Sequence, residues 1–267
     1  MLFEVNGNEA YAYTGGKTFD AKLPTVVFVH GAEHDHSVWI LQSRYLAHHG
    51  YGVLAVDLPG HGRSAGAALA SIEDMAAWLI AAQDAAGVEQ AVVVGHSMGA
   101  LVTLECAAHY PGRIAKIALL GMAYPMKVSA ELLDATRDNE PLAQDMVNIW
   151  SHSAYAHYPS NPGPGFWILG ENLRLMQRQK PGVMHVDFSA CNAYAGGASA
   201  AANVRCPALF LLARRDSMTP MRAAQTFANS VTNTDTNVRI AVIDGSGHNM
   251  MGEKPDEVLE ALRAFLK

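Results

Sequence analysis

The sequence predicts an α/β fold built on a mostly parallel, doubly wound sheet, with an opening antiparallel hairpin and an inserted helical cap. Three observations lead there. Short β-rich runs alternate with helical patterns along most of the chain. The runs are apolar nearly throughout, as strands covered on both faces are. The alternation then stops after Ala123 and resumes at Ala208.

Taken in order, Phe3 to Val5 and Ala10 to Tyr13 flank Asn6-Gly7-Asn8, a hairpin signal in which Gly7 supplies a positive φ. Thr25 to Val29, Val53 to Val56, Ala91 to Val94 and Ile114 to Leu120 are the next strands. Ser71 followed by Glu73 and Asp74 marks a helix start, and Gly87 its end before the AVVV strand. From Tyr124 to Asn203 the pattern is helical, with breaks such as YPSNPGPG. Strand-helix order returns with Ala208 to Leu212, a helix from about Met221, the strand Val238 to Ile243, and an amphipathic helix through Val258, Leu259, Leu262 and Phe265. The expected organisation is a core of residues 1–123 and 204–267 carrying a helical cap at 124–203. Such an insertion is tolerated because loop-closure entropy grows slowly with length.

The 267 residues are 50% hydrophobic and 16% charged, enough for one domain with a full core. A formal net charge of -6 leaves no basic footprint, which disfavours nucleic acid and anionic membranes as partners and suits a small-molecule substrate. The opening MLFEVNGNEAYAYTGG has no basic segment leading into an apolar one, so a soluble, cytoplasmic protein is expected. Cys106, Cys191 and Cys206 are odd in number and widely spaced, hence structural thiols and not a disulfide framework or zinc site. The oligomeric state is left open.

A GxSxG pentapeptide arises by accident in roughly one chain in ten of this size. This chain has two, Gly62 to Gly66 around Ser64 and Gly95 to Gly99 around Ser97. Context separates them. Ser97 follows the AVVV strand and opens the helical stretch MGALVTLECAAHY, the strand-turn-helix setting that projects a hydroxyl from the sheet's carboxyl edge. The flanking glycines suit a strained turn where strand and helix approach closely. Ser64 lies inside the turn-rich PGHGRSAG, a structural loop position.

GHSMG after a strand, HG after an earlier strand, DLPGHGRS and a late GSGH together resemble the α/β-hydrolase superfamily over nearly the whole chain, with an esterase- or haloperoxidase-like core. The cap identifies no subfamily. The resemblance implies a serine, an acid and a histidine in that chain order: Ser97 as nucleophile, Asp216 as orienting acid and His248 as base. His248 lies in the glycine-rich GSGHNM after a strand and before the final helix. Asp216 sits in ARRDSMTP, four residues before a proline; Asp244 is the competitor, and Asp57 is assigned to anchoring the LPGHG turn. The resemblance also implies an oxyanion hole from the backbone N–H groups of Ala32 and Met98. His30 and His96 are expected to shape the site without moving the proton. His34, Asp35 and His36 lack the spacing of a hydrolytic metal motif and are expected in a solvated loop.

No cofactor or metal is required by this chemistry. The expected activity is hydrolysis of a small carboxylic ester through an acyl-enzyme. Enol-lactonase, acyltransferase, perhydrolase, hydroxynitrile lyase and C–C hydrolase chemistry on the same apparatus are alternatives, as is a non-catalytic ligand-binding receptor of this fold. The HG turn lacks the HGGG of many lipases and the HGGGPG-like loop of ring-product C–C hydrolases, and a serine at position 97 speaks against the carboxylate nucleophile of haloalkane dehalogenases and epoxide hydrolases. Trp39, Trp150, Tyr155, Phe166, Trp167, Met218 and Met250 are the candidate apolar lining of the substrate pocket.

Overall fold

Eight strands form one sheet in a computed structural model that describes residues 1–157, 167–231 and 237–267. The opening hairpin joins β1 (Leu2–Val5) to β2 (Asn8–Tyr13) in antiparallel register. Both turn residues take positive φ, Asn6 at 51° and Gly7 at 77°, a turn whose twist matches that of paired strands. Next come β3 (Thr25–Val29), α1 (Ile40–Ala47), β4 (Gly52–Val56), α2 (Ile72–Ala85), β5 (Ala91–His96), α3 (Met98–His109) and β6 (Ile114–Leu120). After β6 the chain builds α4 (Ala130–Asp138), α5 (Glu140–Trp150), α6 (Ile168–Gln177), α7 (Val183–Ala193) and α8 (Gly197–Asn203). It closes with β7 (Ala208–Ala213), α9 (Met221–Ser230), β8 (Val238–Ile243), α10 (Met250–Glu253) and α11 (Pro255–Leu266).

The strand order is β1-β2-β4-β3-β5-β6-β7-β8. All pairs from β4 to β8 are parallel, and β2 joins β4 antiparallel. Successive residues on the central strands alternate between two cores. Val27, Val29, Leu54, Val56, Val93, Ile117, Leu119 and Phe210 face a core shared with α2, α3, α8 and α9. Val26, Phe28, Val53, Ala55, Val94, Ala118, Leu120 and Leu211 face the other, closed by α1 and α11. Period-two burial on both faces explains why these strands read as unbroken apolar runs.

The block between β6 and β7 is not uniform. α4 packs against α5 and α7, and α5 against α6, whereas α8 packs along α3 in the layer that covers the sheet. The short residues of α8 permit that contact: Ala200 and Ala201 are buried. Among the described residues no helix is long and apolar enough to cross a membrane.

Candidate active site

The turn after β5 carries the least ordinary backbone near the site. Ser97 has φ 53° and ψ -117°, a conformation that non-glycine residues adopt only when their surroundings hold them. Its N–H donates to Leu120 O at 2.9 Å, tying the turn to β6. A Cβ on Gly95 would lie 2.0 Å from Gly99 O, and one on Gly99 would lie 2.4 Å from Val29 O. Both positions therefore require glycine. Met98 starts α3, so its N–H has no partner within the helix and points toward the positive end of the helix dipole. Gly31 admits the opposite loop: a Cβ there would sit 3.3 Å from the Ser97 Cβ.

Two later loops bring in the polar partners. Asp216, just past β7, is buried and accepts from Met218 N at 2.8 Å, Thr219 N at 2.7 Å and Thr219 Oγ1 at 2.7 Å. His248, past β8, places Nδ1 2.7 Å from Asp216 Oδ2, so Nδ1–H donates and Nε2 is left to act as a base. Burial alone would raise the Asp216 carboxyl, but the His248 charge and hydrogen bond, with those from Thr219, outweigh it and hold the carboxyl below its ordinary value. The His248 loop is fixed in turn by Glu253, which accepts from Gly247 N at 2.8 Å and Ser153 N at 3.0 Å.

Ser97 and His248 line one cavity with Gly31, Ala32, His34 and His96. Ser97 and Ala32 also line a second cavity of about 200 Å³, whose walls include Leu132, Trp150, Phe188, Cys191 and Met218. His96 donates from Nε2 to His248 O at 2.9 Å, and burial together with the neighbouring His248 charge drives its pKa well below the ordinary range. His30 donates from Nδ1 to Gly31 O at 2.8 Å and accepts Leu58 N at Nε2. Burial, aided by the charge of His61, lowers it to about 4. Both rings are therefore neutral; His96 stands in the cavity wall, and His30 holds the backbone of Gly31 and Leu58.

Residues 24–255 match the model of the alpha/beta hydrolase fold family. The chain belongs to that family. A stretch of 114 residues is 40% identical to the "dihydrolipoyllysine-residue acetyltransferase component of acetoin cleaving system" of Cupriavidus necator, covering 41% of this chain and 28% of that protein, so the chain spans under a third of that relative. Against the "(E)-2-((N-methylformamido)methylene)succinate hydrolase" of Acinetobacter baylyi the identity is 25% over 249 residues, 91% of this chain and 90% of the relative. The solved enol-lactonase of Burkholderia xenovorans LB400 shares the fold at TM-score 0.84 and 21% identity, covering 99% of both chains. Together the family and its relatives support a hydrolase.

Within this α/β-hydrolase the expected site residues that the structure describes fall into three groups. Ser97, Asp216, His248, Ala32 and Met98 converge at the carboxyl edge of β3, β5, β7 and β8, and Trp150 and Met218 line the adjoining cavities. Trp39 and Met250 do not. Both are fully buried in the core on the α1 side of the sheet, where the Trp39 ring lies 5.0 Å from that of Phe28. One helical step of about 100° separates Met250 from Met251, and it is Met251 that lines the cavity. Tyr155 and Trp167 are surface residues, 53% and 70% exposed, with the Arg215 guanidinium 4.4 Å over the Tyr155 ring. Phe166 lies outside the described residues.

Two loop expectations also change or sharpen. Ser64 is structural, its hydroxyl donating to Asp57 O at 2.6 Å and accepting Tyr11 N at 2.9 Å. Asp57 anchors the turns by accepting Arg63 N and His36 N at 2.9 and 2.7 Å, while Asp244 is exposed and paired with Arg214. The loop 34–36, expected in solvent, instead lies against the helices between β6 and β7: Asp35, like the neighbouring Glu33, is fully buried, and Asn172 and Arg178 reach His34 and Asp35. Asp35, His36 and Asp57 place ligand-type atoms within 4.8 Å, but Arg178 already donates to both Asp35 oxygens at 2.8 and 2.6 Å. Burial would raise the Asp35 carboxyl; Arg178 and the Ser37 amide outweigh it and hold it well below the ordinary range. Sequence reasoning missed His34, Asn172 and Phe188 in the cavity wall. Asn172 on α6 and Phe188 on α7 offer one sequence signal, a polar or aromatic residue on an otherwise apolar helix face; His34, in a loop, offers none.

Proposed function

We propose that this protein is a serine esterase that cleaves a small carboxylic ester through an acyl-enzyme. The observation that carries this is the His248 Nδ1 contact with buried Asp216, 2.7 Å, on a ring that shares a cavity with Ser97 at its strained turn. In the first step Ser97 Oγ attacks the ester carbonyl and His248 Nε2 takes the hydroxyl proton, while Asp216 fixes the tautomer and balances the imidazolium. The developing oxyanion accepts from the N–H groups of Ala32 and Met98, each worth about 3 kcal/mol at the transition state. His248 then returns the proton to the departing alcohol. In the second step water attacks the acyl-enzyme with the same base, releasing the acid and restoring Ser97.

The cavity of about 200 Å³ beside Ser97, with its apolar Leu132, Trp150, Phe188 and Met218, suits a small acyl group. A lactone, being a cyclic ester, is the second substrate class, favoured by the full-length likeness to the enol-lactonase. A panel of p-nitrophenyl esters and lactones ranks the two. Ser97→Ala is expected to lower kcat on p-nitrophenyl acetate by about three to six orders of magnitude. A fluorophosphonate probe is expected to label Ser97 in the wild type; an unlabelled, inactive protein would instead be a receptor.

A further inference from the structure

The peptide unit joining Ala32 to Glu33 is held at both ends by the helical cap. Its N–H, on Glu33, donates to Asp187 Oδ2 of α7 at 2.8 Å. Its carbonyl, on Ala32, lies 2.7 Å from His34 Nδ1, and His34 Nε2 lies 2.8 Å from Asn172 Oδ1 of α6. The direction of that second arm is fixed from its far end. Leu169 O can only accept, so Asn148 Nδ2 donates to it at 3.1 Å; Asn148 Oδ1 then accepts Asn172 Nδ2 at 3.0 Å, which turns the Asn172 oxygen toward His34.

The first arm has its own anchor. Asp187 Oδ2 also accepts from His61 Nε2 at 2.8 Å, and His61 Nδ1 faces Pro59 O at 3.0 Å, so both ring nitrogens of this buried histidine point at acceptors. Glu33 adds a third tie through Oε1, which accepts Gln144 Nε2 of α5 at 2.8 Å. Glu33, His61 and Asp187 are fully buried, and Asn172 nearly so. Glu33 also sits at φ 53°, a left-handed conformation that a residue with a Cβ keeps only under such constraint.

We propose that the cap sets the oxyanion hole: Asp187, and Asn172 acting through His34, are positioning residues that fix the Ala32–Glu33 peptide and thereby aim the Ala32 N–H. This rests on Ala32 supplying that donor, as proposed above. A displacement of well under an ångström in such a donor is enough to weaken its bond to the oxyanion selectively in the transition state. Cap ties that served only to glue the cap in place would move stability and substrate binding, not turnover.

The test uses the full-length enzyme, p-nitrophenyl acetate and a fluorophosphonate, whose phosphoryl oxygen occupies the same hole. Asp187→Leu and Asn172→Leu are expected to lower kcat by about 10- to 100-fold, with KM within about two-fold and fluorophosphonate inactivation slowed in parallel. Asp187→Asn keeps an acceptor for the Glu33 N–H and is expected to recover most of the kcat. Arg137→Ala, in an exposed ion cluster on α4, is expected to behave as wild type. Should the Asp187 variants fail to fold, Asn172→Leu decides, since the side chain it removes is uncharged. Wild-type kcat and inactivation rate in Asn172→Leu, or a loss confined to KM or thermal stability, would overturn the inference. An unlabelled Ser97 in the wild type would overturn the esterase assignment instead.

Discussion

Ser97 keeps its positive φ because strand and helix meet over two glycines, and that dependence is testable without reference to catalysis. Gly99→Ala would press a Cβ to 2.4 Å from the Val29 carbonyl, against backbone that cannot rotate away. It is expected to destabilise the fold by about 3 kcal/mol or more, read as a shift of the urea midpoint. Ser64→Ala is the contrasting case. It removes a buried hydroxyl that both donates and accepts, so stability should fall by about 1–3 kcal/mol while kcat/KM on p-nitrophenyl acetate is retained. The two pentapeptides are thus alike as letters and opposite in what their serines do. Local context alone distinguished them in the sequence, because a strand before and a helix after leave a periodic signature. Asp187 left none: within VMHVDFSACNA it reads as one polar residue in a helix, and only the fold shows that its carboxylate reaches a loop 154 residues away.

At the scale of elements, helix starts were legible because caps are local chemistry. Ser71 caps α2 by accepting Asp74 N at 3.1 Å, as the Ser-x-x-Asp spacing indicates. Ser71→Ala is expected to cost about 1 kcal/mol, measured by chemical denaturation. The strands were legible for the same kind of reason, since burial on both faces writes an unbroken apolar run. What a helix packs against is not written locally. α8 continues the helical run after β6 in sequence yet lies along α3, and Trp39 and Met250, which look like pocket lining, turn into the core beneath the sheet. A one-residue difference in helical phase exchanged Met250 for Met251 at the cavity wall.

For the whole molecule, the buried groups where α5 and α7 meet the loops of the sheet make stability depend on pH in a defined direction. Burial, with the nearby Glu140 and Asp187 charges, pushes the Glu33 carboxyl up from 4.5 to about 9, the Gln144 hydrogen bond only partly offsetting it. The folded protein therefore holds a proton that the unfolded chain releases near 4.5, so this group lowers stability progressively as pH rises from 4.5 to about 9. Glu33→Gln is expected to flatten that slope and to exceed the wild type by on the order of a few kcal/mol at pH 8, in urea unfolding at pH 5 and pH 8. His61 acts in the same sense. Burial would lower its pKa, but Asp187 outweighs it and raises it; the stabilisation is complete below 6.5 and fades as pH rises through the folded value. Asp216 opposes them, its stabilisation being lost as pH falls through its depressed value.

The sequence by itself determined the elements, the parallel sheet, the family, and the serine, acid and histidine proposed as the triad, because each of these writes a short-range pattern: a period, a cap, a strand-turn-helix junction, a fixed chain order. The tertiary structure alone decided which aromatic and methionine side chains reach the cavities, and that the loop after β3 lies buried beneath α5, α6 and α7. Those outcomes depend on long-range packing and on where the polar groups of separate segments find partners once water is excluded, and neither has a periodicity to read.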